Sequence, residues 1–262
     1  MATGKASAAA RLEHRAGNPA ALALADAAVP ATRRVPSRRT AATPPPDRRL
    51  AILLAAEKLF AMHGFHGVSI RNIAQEAGVP LALVGYYYGA KHELYHAIFE
   101  SWQSSIDQRR ERLRAALAAP AAALEQVLDA FIAPVVTLHA DPAGRWYARM
   151  AARDLAAPTP ESDRAAREFF DPMAHHFIDA VQSLYPRRTR GEVTWCYQFM
   201  LGAMLHFLSD VRVERLSRGQ NKAADPARKD TLLAFVAAGF RAVLQSEQPA
   251  SAKPTARKAR TK

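Results

Sequence analysis

Residues 49–98 read RLAILLAAEKLFAMHGFHGVSIRNIAQEAGVPLALVGYYYGAKHELYHAI, and this stretch decides the fold of the first part of the chain. Ile52, Ala56, Leu59 and Phe60 recur at helical spacing, so they lie on one face of a predicted amphipathic helix. Gly64 is placed to end that helix, because glycine tolerates the positive φ that closes many helices. The pattern therefore predicts a first helix with one apolar side.

Two shorter helices and the start of a fourth follow in the same stretch. Ser69 is suited to cap the second helix, and Gly78 to make the tight turn after it. Pro80 stands where a helix begins, since its missing N–H has no partner there anyway. The third helix runs through Tyr88, and Lys91 opens a fourth. Two short helices joined by a glycine-containing turn form a helix-turn-helix, whose second helix enters the major groove of DNA.

Three blocks of this stretch resemble the DNA-binding domain of the TetR/AcrR family of bacterial transcriptional regulators: ILLAAEKLFAMHGF, SIRNIAQEAGV and YYYGAKHELY. They occur in the order and at the spacing of that family. The resemblance implies an all-α protein with an N-terminal three-helix helix-turn-helix domain and a C-terminal helical domain for ligand binding and dimerisation. We place the DNA-binding domain at 47–102 and the second domain at 103–246.

The resemblance also implies a set of DNA-contacting residues: Ser69, Arg71, Leu81, Ala82, Tyr86, Tyr87 and Lys91. Leu81 and Ala82 can press on thymine methyl groups, and Arg71 can bind a guanine edge with two hydrogen bonds. Tyr86 can touch a base edge or a phosphate. The other three match positions that bind phosphates in the family.

The charge of the chain lies mainly in its ends. The net charge is +12, but segment 47–102 carries five basic and five acidic residues and is formally neutral. Residues 1–46 and 247–262 are basic and have a composition typical of disorder. They are either solvated ends or arms that add non-specific affinity for DNA. For the first of them a misassigned start codon is a further explanation.

Residues 103–246 show apolar helical periodicity throughout. We predict helices near 103–118, 121–139, 143–156, 161–185, 190–217 and 227–246. Pro134 and Pro172 fall inside two of them and should kink or split those helices. The run WCYQFMLGAMLHFL, within 190–217, resembles in particular the PsrA-like branch of the family, which responds to fatty acids.

Aromatic and methionine side chains are dense in this second domain. Ordinary core packing explains most of them. The family resemblance adds a small-molecule effector pocket, and the candidate lining residues are Trp146, Arg149, Met150, Phe170, Phe177, Trp195 and Phe199. Arg145, Arg149 and Arg153 form one helical stripe, which is either a solvated basic face or a binding site for an acidic head group. A fatty acid or an acyl-coenzyme A fits both features.

Several function classes lack the residues they need. Cys196 is the single cysteine, which excludes an intrachain disulfide and a cysteine-based zinc site and favours the reducing cytoplasm. His175, His176 and His206 have no supporting carboxylate cluster, so we predict no metal and no cofactor. No catalytic motif and no membrane span are present. We therefore predict a protein that is not an enzyme.

The sequence thus favours a cytoplasmic, homodimeric and ligand-responsive repressor, associated with the nucleoid when it is bound to DNA. Two helix-turn-helix units would bind a palindromic double-stranded operator, and a small apolar or acyl effector would release it. The alternative is a non-specific DNA-compacting protein that acts through its basic ends.

Overall fold

The computed structural model describes residues 47–119 and 122–246, and in these ranges the chain is built from α-helices and short helical turns without a strand. The helices are α1 (Arg48–His63), α2 (Ile70–Glu76), α3 (Leu81–Tyr88), α4 (Lys91–Ser101), α5 (Gln103–Ala118), α6 (Leu124–Ala140), α7 (Arg145–Ala156), α8 (Pro160–Ala165), α9 (Asp171–Leu184), α10 (Arg190–Ser209), α11 (Arg212–Leu216) and α12 (Lys229–Leu244). A π-helical turn (Ala166–Phe170) precedes α9, and a 3₁₀ turn (Pro226–Arg228) precedes α12. The predicted all-α fold class is confirmed.

The described residues divide into two compact units. The first unit contains residues up to 112 together with 134–173, and the second contains 113–133 together with the residues from 174 onward. The first unit therefore holds the predicted DNA-binding segment and also α7, α8 and the π-helical turn.

The core of the first unit forms where α1 buries its apolar face. Ile52, Ala56 and Phe60 are fully buried, as the helical spacing of the sequence predicts. The ring of Phe60 meets the ring of Tyr95 on α4 edge-on, with centroids 5.3 Å apart. Aromatic pairs in this geometry are favourable beyond the area they bury. Helix α4 is thereby held against α1.

The second unit is built around α10 and α12, which pack on each other. Its core is aromatic: the Phe177 ring lies 4.9 Å from Phe131, 5.8 Å from Tyr197 and 6.4 Å from Phe240. These four side chains are all buried. An ion pair between Lys229 and Asp129, with 2.6 Å between the charged atoms, joins α12 to α6.

The two prolines inside predicted helices have different outcomes. Helix α6 continues through Pro134, so this proline does not split the helix. Near Pro172 the predicted helix 161–185 is interrupted, because residues 166–170 form a wider turn in which the Asp171 N–H donates to the Ala166 carbonyl. A proline ring crowds the carbonyl four residues earlier, and a wider turn gives that carbonyl room.

The predicted helix 190–217 is also shorter in the structure. It ends at Ser209, and α11 is a separate short helix. At Asp210 the backbone becomes extended, and its carboxylate accepts a hydrogen bond of 2.9 Å from the Arg212 N–H. Aspartate favours such local bonds over helix continuation. The polar sequence after Leu208 therefore stops α10.

In the described residues, no helix combines the length and the apolar character that crossing a bilayer requires. The two basic ends predicted from composition, 1–46 and 247–262, lie outside the described residues.

Candidate nucleic-acid interface

The start of α2 is set by a reciprocal cap. The Ser69 hydroxyl accepts a hydrogen bond from the Asn72 N–H at 3.1 Å, and the Asn72 side-chain oxygen accepts one from the Ser69 N–H at 3.0 Å. Gly78 follows α2 with φ of +64°, a conformation that side chains disfavour. These local features explain why the turn between α2 and α3 is tight and defined.

Helix α3 has one buried side chain and one exposed face. Val84 is fully buried, whereas the side chains of Leu81, Tyr86 and Tyr87 are exposed by 48%, 79% and 36%. Ala82 is exposed as well. The rings of Tyr86 and Tyr87 meet edge-on at 5.1 Å, so each restricts the other. The sequence-predicted contact residues of α3 therefore share a single exposed surface.

Tyr88 fastens the C-terminal end of α3. Its hydroxyl donates a hydrogen bond of 2.9 Å to the Arg49 carbonyl, and the Arg49 guanidinium lies 5.5 Å from the ring centroid. The Tyr88 ring is half-buried, and its hydroxyl is a polar anchor. Burial raises the pKa of the Tyr88 hydroxyl, so it stays a donor at neutral pH. This bond links the end of α3 to the start of α1.

Gly89 connects α3 to α4 and cannot be replaced without strain. Its φ is +70°, and a Cβ at this position would meet the Glu93 carboxylate. That carboxylate accepts a hydrogen bond of 2.7 Å from the Ala90 N–H and so caps α4. The glycine in the motif YYYGAK is thus required by its positive φ, and a side chain there would also displace the Glu93 cap.

Lys91 has structural partners in addition to its predicted phosphate contact. Its ammonium donates hydrogen bonds of 2.9 Å to the carbonyls of Phe65 and Val68, and it lies 4.2 Å from the Phe65 ring centroid. An ammonium has three protons, so one donor remains for a phosphate oxygen. Arg71, in the first turn of α2, is exposed.

Hydrogen bonds that the sequence does not predict connect α7 to the predicted DNA-binding segment. The Arg153 guanidinium donates hydrogen bonds of 3.0 Å to the carbonyls of both Phe60 and Met62, at the C-terminal end of α1. The next residue, Asp154, accepts a hydrogen bond from the Tyr95 hydroxyl on α4. The arginine stripe 145, 149 and 153 was the available signal, but spacing does not indicate which arginine turns inward.

Burial controls the titration of Asp154. Removal from water raises its pKa to about 6, against smaller lowering effects of the Tyr95 hydrogen bond and the nearby Arg153 charge. Burial also raises the pKa of Tyr95. The contact between α4 and α7 thus contains a carboxyl group that changes charge near pH 6.

Four of the residues predicted for the effector pocket lie in the first unit, in different surroundings. Met150 is buried, and Phe170 is half-buried with its ring 5.7 Å from that of Phe99. Trp146 is half-buried beneath the Arg145 guanidinium, which lies 4.7 Å from its centroid, and Arg149 is exposed. Of this group, Met150 and Phe170 belong to the apolar interior.

The other three predicted pocket residues lie in the second unit and do not share one environment. Phe177 is fully buried in the aromatic core, whereas Trp195 and Phe199 are exposed by 64% and 65%. Their two rings stack on the surface of α10 with centroids 5.7 Å apart. Within this unit they form an outward-facing apolar patch.

The histidines singled out in the sequence have ordinary polar partners. His175 lies 3.2 Å from the Arg190 guanidinium, and His206 pairs with Asp210 at 2.9 Å. Over the described part of the chain, no three potential metal-ligating side chains gather.

Two family descriptions match the chain. Residues 52–98 match "Bacterial regulatory proteins, tetR family", and residues 129–239 match "Tetracyclin repressor-like, C-terminal domain". The chain is 37% identical over 81 residues to the transcriptional repressor NicS of Pseudomonas putida, and 34% identical over 85 residues to the transcriptional regulator RutR of Escherichia coli. Each match covers 31% of this chain and 38% of the relative, so it spans less than two thirds of either.

Solved structures extend the likeness of fold over most of the chain. FadR from Bacillus halodurans, described as a fatty acid degradation regulator, has a TM-score of 0.54 at 16% identity and covers 76% of this chain and 99% of its own. AmtR from Mycobacterium smegmatis has a TM-score of 0.53 at 18% identity and covers 79% and 91%. At these identities the likeness shows a shared fold.

Proposed function

The chain belongs to the tetR family of bacterial transcriptional regulators, and from that premise we propose that it is a homodimeric repressor that binds a palindromic operator and is released by a small apolar or acyl effector. The matched families are regulators and not enzymes. The observation that carries the DNA-binding part is the surface of α3, on which Leu81, Tyr86 and Tyr87 stand exposed while Val84 holds the helix from behind.

The exposed surface of α3 suits sequence-specific contacts to bases better than non-specific electrostatic binding to the DNA phosphates. The segment 47–102 is formally neutral, so non-specific binding through charge is weak here. Leu81 and Ala82 offer apolar contacts to thymine methyl groups, and Arg71 offers the bidentate fork that suits guanine. Ser69, Tyr87 and Lys91 are the proposed phosphate contacts. We propose that α3 lies in the major groove with the α2 N-terminus beside it.

The dimer proposal rests on the exposed apolar face of the second unit. Trp195 and Phe199 on α10, and Phe235 on α12, are each exposed by more than 60%. Gly202 and Gly239 stand on the same two helices with no atom within 4 Å of a built Cβ. Large aromatic rings next to glycines that leave open space form a surface that can pack against the same surface of a second copy of the chain. A two-fold symmetric interface requires such self-complementarity. Such a patch is unusual on a monomer.

For the effector, the candidate residues lie on α7 and in the π-helical turn before α9. Met150 and Phe170 offer apolar surface in the first unit, and the exposed Arg149 offers a charge for an acidic head group. A fatty acid or an acyl-coenzyme A combines both features. The effector must bind more tightly to the protein conformation that does not fit the operator. Equal affinity for both conformations would leave their equilibrium unchanged. We propose action in the cytoplasm, at the nucleoid.

Selection from a pool of random duplexes tests this function. A repressor enriches one palindrome with two half-sites, whereas a DNA-compacting protein enriches none. On the selected duplex, Arg71→Ala should weaken binding by about 1–3 kcal/mol and relax the preference at one guanine per half-site. Arg164→Ala, an exposed arginine on α8, is the matched control and should bind like the wild type. Equal losses on selected and scrambled duplexes would remove Arg71 from base reading.

A further inference from the structure

Tyr147 on α7 carries a buried hydroxyl with unused hydrogen-bonding capacity. The side chain is 2% exposed, and among the residues that the structure describes nothing hydrogen-bonds its hydroxyl. Buried polar atoms normally have hydrogen-bond partners, because a buried polar atom without one loses its hydrogen bonds to water and gains none in the protein. An orphaned hydroxyl in a native protein therefore indicates a missing partner.

The surroundings of Tyr147 are mostly apolar. Its ring stacks on Trp102 with centroids 5.1 Å apart and meets Phe99 edge-on at 5.9 Å. The Trp102 indole N–H already donates a hydrogen bond of 2.9 Å to the buried Glu57 carboxylate. In this stacked pair, the Trp102 indole N–H already has an acceptor, whereas the Tyr147 hydroxyl has none among the described residues.

The charges that act on the hydroxyl oppose each other. Burial raises the pKa of Tyr147, the Arg109 charge lowers it, and the Glu57 charge raises it. An ionised ligand group would lose its hydration among these buried rings, which costs more free energy than burying a neutral carbonyl. Because burial keeps the phenol protonated, it can donate a hydrogen bond, and in apolar surroundings a neutral oxygen is the acceptor that costs least to bury.

We propose that Tyr147 is a ligand-binding residue that donates a hydrogen bond to a neutral carbonyl oxygen, such as that of an ester or thioester, on an otherwise apolar effector. The aromatic cluster of Phe99, Trp102 and Tyr147 contacts the apolar part next to that carbonyl. This inference rests on the proposed function in that it names a recognition element of the effector. It assigns the carbonyl to Tyr147 and leaves an acidic head group to the exposed Arg149.

Tyr147→Phe tests the proposal, because it removes only the oxygen. Dissociation constants of methyl decanoate, decanoate and decane are measured without DNA by tryptophan fluorescence, since Trp102 stacks on Tyr147. The variant should bind methyl decanoate about three- to tenfold more weakly, the worth of one neutral hydrogen bond. Its affinity for decane should be unchanged. Tyr185→Phe, a half-buried tyrosine of the second unit, is the control and should match the wild type for all three compounds.

Two results would overturn the proposal. One is equal affinity of wild type and Tyr147→Phe for methyl decanoate, including the case in which neither binds it. The other is a melting temperature of the ligand-free variant several degrees below that of the wild type, because the hydroxyl would then have a partner within the protein. An equal or higher melting temperature supports it. Failure to select any duplex would sink the proposed repressor function while leaving the ligand measurement standing.

Discussion

Replacing Arg153 by alanine removes two hydrogen bonds that tie α7 to the end of α1. The guanidinium lies 3.0 Å from both the Phe60 and Met62 carbonyl oxygens, and the first of these bonds is partly buried. A hydrogen bond to a charged group contributes about 1.5–3 kcal/mol, and less where water competes. A cation near a helix C-terminus adds about 0.3–1 kcal/mol. We expect a loss of about 2–4 kcal/mol.

Thermal unfolding followed by circular dichroism measures this loss. For a domain of this size, each kcal/mol lowers the melting temperature by about 2–4 °C, so a loss of about 2–4 kcal/mol should lower it by about 4–16 °C. Arg153→Lys keeps the charge but not the fork, and it should lose about half as much. The control is Arg149→Ala, one turn earlier on the same helix and exposed. It should change stability by less than about 0.5 kcal/mol. Equal effects of the two alanine variants would refute the argument from geometry.

Three further predictions concern charge and assembly. Asp154 has a folded pKa of about 6, above its unfolded value, so its ionisation destabilises the fold as pH rises through that range. Asp154→Asn should therefore be more stable than the wild type at pH 8. The difference in stability should shrink between pH 6 and pH 4, where the wild-type carboxyl becomes protonated in the folded state, and a constant difference would contradict this. Phe199→Asp should give monomers in sedimentation equilibrium, whereas Gln198→Asp, also exposed on α10, should leave dimers; two dimers would refute the interface. Deleting 1–44 and 248–262 should leave the melting temperature unchanged and flatten the salt dependence of DNA binding, unless those segments belong to the core.

Local features of the structure follow from the sequence because they involve neighbours along the chain. The caps of Ser69, Thr159 and Thr189 each bond to a residue three positions later. Such bonds depend on residue type and spacing alone, so the starts of these helices can be predicted. The helix-turn-helix register and the buried face of α1 are of this kind.

The partners of charged and polar side chains depended on the tertiary fold. Arg153 meets Phe60 across 93 positions of sequence, and Tyr95 meets Asp154 across 59. No spacing rule selects Arg153 over Arg149 for that contact, since both lie on one stripe of α7 and only packing turns one of them toward α1. From the sequence alone, most of the helices and the segment that resembles a DNA-binding domain could be predicted. The side chains that fasten this domain to α7 become visible only in the tertiary structure. Their partners are distant in sequence, and residue spacing along the chain does not specify which distant residues come into contact.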